Sequence, residues 1–152
     1  MRVFKSLDEF TAQVGQTLGT SDWLEIGQER VGTFADATGD HQWIHVDPVR
    51  AADGPFGGTI AHGYLSLSLL PVLMGTIYRI EGLRMGVNYG LNKVRFPSPV
   101  RVGSRIRVTA ELREAREASG GVMAVLGSTM EIEGGAKPAC VAETITLYYP
   151  QG

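Results

Sequence analysis

The chain has little of what marks a protein for nucleic acid, membranes or a disulfide framework. It contains one cysteine, Cys140, in 152 residues; a lone cysteine makes no intrachain disulfide and fits a reducing compartment. Neither sign of charge dominates, since 14 Lys and Arg stand against 16 Asp and Glu for a formal net charge of −2. That balance leaves no electrostatic footprint for nucleic acid or an anionic membrane. The first six residues, Met1-Arg2-Val3-Phe4-Lys5-Ser6, hold no apolar core and no small-residue cleavage site, so no signal peptide is expected. The most apolar stretch, residues 60–78, is about as long as a membrane span, but His62, Gly63, Ser66, Ser68, Pro71 and Gly75 interrupt it. It reads as a buried helix. The expectation is a soluble cytoplasmic protein.

Apolar residues are 43% and charged residues 20% of the chain, which excludes an intrinsically disordered polypeptide. The length predicts a single domain over 1–152 that buries roughly 70% of its unfolded surface. Twenty glycines are about twice the usual share and fall without a period, which predicts many turns. Ser6-Leu7-Asp8-Glu9 has capping-box spacing before Leu7, Phe10 and Val14, with Gly15 as the stop. Trp23-Leu24-Glu25-Ile26 reads as a short strand. A helix is predicted over 28–38, with Val31, Phe34, Ala35 and Thr38 on one face and Gly39 as a left-handed cap. Residues 40–47 read as loop, because Asp47-Pro48 looks like an N-cap followed by proline at the first helical position of a short helix. A long helix is predicted from Gly63 to about Tyr78, with Pro71 as a kink or an early end. Beyond Gly82, the segments 85–96, 104–116, 122–133 and 139–149 alternate and are rich in β-branched and aromatic residues. Gly120-Gly121 and Gly134-Gly135 separate the later ones as turns. Helices first and strands later give an α+β fold, with an antiparallel sheet against one long helix.

All three histidines fall between positions 41 and 62, together with Asp36, Asp40, Asp47 and Asp53. His41 and His45 are four apart, a metal-pair spacing on a helix, but Gly39 and Asp47-Pro48 oppose a continuous helix there. No third ligand has a defined spacing, so no metal site is expected. Asp40 and His45 fit acid–base work better: a carboxylate and an imidazole titrating near neutral pH can converge on one water. From spacing alone, a turn-capping Asp40 and a structural His45 remain the competing reading. Gly63 opens the apolar helix, where free N–H groups and partial positive charge suit a carbonyl that becomes an oxyanion. Its competing role is relief of crowding at the helix start.

Three segments carry a resemblance. Phe34-Ala35-Asp36-Ala37-Thr38-Gly39-Asp40-His41-Gln42-Trp43-Ile44-His45 resembles the hydratase motif of the MaoC-like dehydratases, the (R)-specific enoyl-CoA hydratases of hotdog fold. Ile60-Ala61-His62-Gly63-Tyr64-Leu65-Ser66-Leu67-Ser68 resembles the start of that family's central helix. Val94-Arg95-Phe96-Pro97-Ser98-Pro99-Val100, followed by Val102-Gly103, is similar to its basic-Phe-x-x-Pro-Val strand entry. Order and spacing match across most of residues 30 to 105. One departure is Gln42-Trp43, where the family usually has Asn-Pro.

The resemblance implies a single hotdog domain, with an antiparallel sheet wrapped around a long central helix. It implies Asp40 and His45 as the catalytic pair, the Gly63 amide as oxyanion donor and Ser68 as a pocket residue near the pair, the competing role of Ser68 being a helix hydroxyl bonded back to its own backbone. The implied activity is hydration of trans-2-enoyl thioesters. No cofactor is implied beyond the coenzyme A or acyl carrier protein of the substrate, and the implied partner is a second copy in a homodimer. A hotdog thioesterase and a non-catalytic acyl-thioester binding or partner subunit are the rival functions. Asn88, Tyr89 and Asn92 are candidate pocket residues, or solvent-facing and loop-capping ones. Arg79, Arg84, Lys93 and Arg95 are candidate phosphate contacts, or a solvated face. Cys140 reads as apolar filling.

Overall fold

In the computed structural model, which describes residues 1–152, the first half of the chain supplies the helices and the second half four long strands. The order is β1 (Arg2–Phe4), α1 (Leu7–Thr11), β2 (Gln16–Thr20), β3 (Leu24–Glu25), α2 (Gln28–Thr38), α3 (Trp43–Val46), α4 (Pro48–Ala52), α5 (Gly63–Ser68) and α6 (Leu70–Ile77). Then come β4 (Tyr78–Ile80), β5 (Leu83–Arg95), β6 (Arg105–Ala118), β7 (Gly121–Ile132) and β8 (Cys140–Pro150). The main sheet runs β2-β6-β7-β8-β5 with β3 beside β6, all antiparallel. Ser119-Gly120 turns β6 into β7, with Gly120 at φ +82°. At Gly121 a Cβ would run into the Tyr148 carbonyl oxygen, so the strand closes there only without a side chain.

Helices α5 and α6 are the predicted central helix, interrupted at Leu69. Pro71 has no N–H for the Leu67 carbonyl, which breaks the ladder locally. Leu69 N–H still reaches the Leu65 carbonyl and Leu73 N–H the Leu69 carbonyl, both at 3.1 Å, so the axis carries on. The buried residues Leu65, Leu70, Leu73, Met74 and Ile77 then meet Ile106, Val108, Leu112 and Leu126 of the sheet in one core. Removing a single such leucine costs about 2–5 kcal/mol. At the far end of the helix, Phe10 stacks on Tyr78 at 5.4 Å and the Tyr78 and Tyr148 hydroxyls share a 2.7 Å hydrogen bond.

Four short elements lie outside the expectations. β1 pairs in parallel with β4, three residues against three. β2 forms across a bulge at Thr17–Gly19. α3 puts one helical turn inside the predicted 40–47 loop. The first helix also stops at Thr11, four residues before Gly15, although Ser6 Oγ caps it by accepting from Glu9 N–H as expected. No helix is long and apolar enough to cross a membrane.

Candidate active site

Gly39 ends α2 in the left-handed region, φ +80°, and its N–H donates to the Ala35 carbonyl at 2.8 Å. The chain reverses there and leaves Asp40 exposed, with one carboxylate oxygen accepting weakly from Gln42 N–H at 3.4 Å. A turn later, α3 carries His45 inward until it is only 6% exposed. His45 Nδ1 lies 2.7 Å from the Ile60 carbonyl. A carbonyl only accepts, so Nδ1 carries the proton and Nε2 keeps its lone pair. The backbone of His45 is fixed as well: Gln28 Nε2 donates to its carbonyl at 2.7 Å, and Thr59 Oγ1 donates to Gln28 Oε1 at 2.5 Å. Burial holds the His45 imidazole below its ordinary range; the Ile60 bond opposes this and nearby His62 reinforces it. His45 is therefore a neutral base at neutral pH.

The histidine pairing suggested by spacing does not form. His41 is exposed and its Nε2 sits 2.8 Å from Asp36 Oδ1, which raises its proton affinity. The third histidine, His62, is the one beside His45. Their rings stack at 3.8 Å, 24° from parallel. One donor atom each from Asp40, His45 and His62 lies within 4.8 Å of the others. Imidazole lone pairs lie in the ring plane, so two stacked rings direct theirs along neighbouring planes rather than onto one ion. The Nδ1 of His45 and the Nε2 of His62 are already committed to carbonyls.

Gly63 is the first residue of α5, so its N–H has no intrahelical acceptor, and no other hydrogen bond of the chain uses it. Its missing side chain has a definite neighbour: a Cβ here would sit 3.0 Å from the Phe96 ring. Ser68 donates back to the Leu65 carbonyl at 2.9 Å and makes no hydrogen bond to Asp40 or His45. It instead lines a cavity of about 780 Å³ between the central helix and β5–β8, together with Tyr64, Leu67, Met74 and Tyr148. Neither Asp40 nor His45 lines that cavity; the helix turn from Gly63 to Ser68 joins the two places. Asn88 and Tyr89 also border it, whereas Asn92 is tied to Glu143 at 2.6 Å. Among the four candidate cations Arg79 borders the cavity and pairs with Glu81, and Lys93 and Arg95 lie exposed on β5. Cys140 is buried and its thiol is pushed up to about 11 by that burial, which makes it inert.

Sequence spacing does not disclose Gln28, seventeen residues before His45, or the side-chain role of His62. Both act across the fold, and no spacing in the sequence signals either contact.

A sheet around a central helix, with Asp40, His45 and His62 gathered near that helix's N-terminus, is the arrangement of a hotdog protein. The family profile described as MaoC like domain matches residues 9–133, and the chain belongs to that family. It is 56% identical over 149 residues to the 3-hydroxyacyl-thioester dehydratase Z of Mycobacterium tuberculosis, covering 97% of this chain and 99% of that one. It is 47% identical over 145 residues to nodulation protein N of Rhizobium meliloti, covering 93% of this chain and 90% of that one. Among solved structures, the (R)-hydratase of A. caviae superposes with a TM-score of 0.68 at 28% identity, over 84% of this chain and 93% of that one. An unliganded R-hydratase of Pseudomonas aeruginosa gives 0.73 at 25% identity, over 91% and 83%.

Proposed function

We propose that this protein is an (R)-specific enoyl-thioester hydratase, a hydro-lyase that adds water to trans-2-enoyl thioesters and reverses the reaction on (R)-3-hydroxyacyl thioesters. The observation that carries the reading is the fixed tautomer of His45, a buried neutral imidazole with a free Nε2 lone pair, in a residue that has one ring nitrogen within 4.8 Å of an Asp40 carboxylate oxygen. Family membership and the relatives' activities support it. The thioester carbonyl rests on the Gly63 N–H, which draws electron density from C3. A water held by Asp40 and His45 adds its oxygen to C3 while its proton passes to His45 Nε2. The ionised Asp40 carboxylate orients the water and stabilises the imidazolium that forms. His45 then returns the proton to C2 on the same face, so hydrogen and hydroxyl are both added and no charge remains. The acyl chain lies in the apolar cavity beyond Ser68. No metal and no cofactor enters this scheme; coenzyme A or an acyl carrier protein arrives as part of the substrate.

The chain is read as one domain over 1–152, since a single 25-residue core links helices and sheet. A second copy is its expected partner. β5 ends the sheet order with an unpaired edge and exposes Met85, Val87, Tyr89 and Leu91; such an edge is an invitation to pair. A cytoplasmic location completes the reading.

A panel of trans-2-enoyl-CoA substrates from C4 to C16, followed at the enoyl absorbance beside a free-thiol assay, tests the activity. Loss of absorbance without thiol is expected, whereas thiol release identifies a thioesterase and no change a binding subunit. Gly63→Val should lower kcat/KM by ~10² or more, the scale of losing one oxyanion donor. The valine also strikes the Phe96 ring, 41% exposed, so some loss of Tm accompanies it. Adding Phe96→Ala should restore Tm but not activity. Recovery of activity in that double variant would place the carbonyl elsewhere.

A further inference from the structure

His62 is buried to 3% exposure, yet its Nδ1 has no hydrogen-bond partner. Its other nitrogen, Nε2, lies 2.9 Å from the main-chain carbonyl of Asp40. A carbonyl accepts only, so His62 carries its proton on Nε2 and leaves a bare lone pair at Nδ1 in the interior. An apolar side chain at this position would avoid the cost of an unsatisfied buried polar atom. The ring is held by both faces of its surroundings: Phe34 of α2 packs at 4.9 Å and His45 of α3 stacks at 3.8 Å. His62 is also the residue immediately before Gly63, at the N-cap of α5 without capping it through its side chain. It thus touches, or adjoins in sequence, each of the three groups assigned to the reaction.

We propose that His62 is a positioning residue that sets Asp40, His45 and the Gly63 amide in one geometry, through its Nε2–H on the Asp40 carbonyl and its ring face against His45. The inference rests on the hydratase reading for its kinetic consequences. Asp40 has no other firm anchor, since its own N–H reaches Thr38 Oγ1 at 3.4 Å and its carboxylate accepts from Gln42 N–H at 3.4 Å. The short bond from His62 is what ties the reversal after Gly39 to the central helix. Stacking restricts the tilt of the His45 ring, while the Ile60 bond restricts its rotation. Together they aim the Nε2 lone pair. Displacement of a reacting group by about 1 Å can cost 10²-fold in rate, so a residue that never meets substrate can still govern kcat. The titratable groups facing His45 are Asp40 from the loop after α2 and His62 from the start of α5, with the Ile60 carbonyl as the polar main-chain neighbour.

Two variants separate the two contacts. His62→Phe keeps a ring against His45 but donates nothing to Asp40. His62→Gln keeps a donor at the position of Nε2 but has no ring. Each is measured for kcat, KM, the pH profile of kcat and Tm on an enoyl-CoA that the wild type hydrates. His62→Phe should lower kcat by ~10- to 100-fold with KM within about twofold. His62→Gln should recover part of the lost kcat. Unchanged kcat in folded variants would overturn the proposal, and so would a rise in KM alone, which makes His62 a binding residue. Nitrogen NMR of the unsubstituted protein at neutral pH supplies a reading that needs neither folding variants nor turnover. An Nε2–H, bare-Nδ1 signature is expected for His62, and an Nδ1–H tautomer contradicts it. An inactive wild type with that signature would count against the hydratase reading and not against this contact.

Discussion

Replacing Asp40 with asparagine is expected to leave the fold intact and to lower hydration by ~10²–10⁴-fold, the usual worth of a general acid–base group. The substitution is close to isosteric, and the side chain is exposed with one weak contact, Gln42 N–H on Oδ1 at 3.4 Å. An amide oxygen accepts that bond equally well. The contact that fixes the loop, His62 Nε2 on the Asp40 main-chain carbonyl, does not involve the side chain. Stability should therefore stay within about 0.5 kcal/mol, as for surface substitutions generally. Chemistry should not. The amide carries no charge, so it neither orients the water as an anion does nor stabilises an imidazolium at His45. A folded Asp40→Asn enzyme with wild-type kcat ends the mechanism proposed above.

His45→Ala is expected to be about as inactive, at some cost in stability because the Ile60 carbonyl is left buried without its donor. The informative result is the combination. If Asp40 and His45 act on one water as a unit, the double variant loses little more than either single one, since the second deletion removes a function already gone. Multiplying losses would mean two independent contributions and no shared water. The same imidazole sets the acidic limb of the wild-type profile. Protonated His45 has no lone pair at Nε2, so rate falls as pH drops through the value of the folded enzyme. Burial pushes that value below the ordinary 6.5, so the midpoint of the acidic limb should lie below pH 6.5, and a midpoint above it would contradict this role for His45.

Much of the framework is legible in the residues themselves. The four long strands begin and end within a few residues of where alternation and the Gly-Gly pairs place them, because a half-buried strand writes its two faces into every second position. Gly39 and Asp47-Pro48 mark the end of α2 and the start of α4 through backbone chemistry that few other residues supply. The failures have equally local causes. One turn of helix, such as α3, is too short to show a 3.6-residue period, and it lies between two residues that signal a loop. β1 and β4 are three residues each and exist only because residues 76 apart meet. At the site, Asp40, His45 and Gly63 are visible as a spaced set, and resemblance rather than spacing separates them from ordinary capping and turn roles. Ser68 is offered by the resemblance as a pocket residue near the pair; it lines a cavity that neither Asp40 nor His45 borders, and its hydroxyl turns back onto its own helix, as helical serines commonly do. What stays hidden is the tautomer of His45 and the clamp from His62 and Gln28. Those depend on which carbonyl the folded chain presents to each ring.

The central claim is that one acid–base pair, on one face of the double bond, both delivers the water and returns the proton. Hydration of a trans-2-enoyl-CoA in D2O, with the relative configuration at C2 and C3 read by proton NMR, addresses it directly. A single deuterium at C2, in the diastereomer that syn addition to a trans double bond produces, with the (R) configuration at C3, is the expected product. Anti addition, or an equal mixture at C2, would contradict the account, because the proton would then come from a group other than the pair that holds the water.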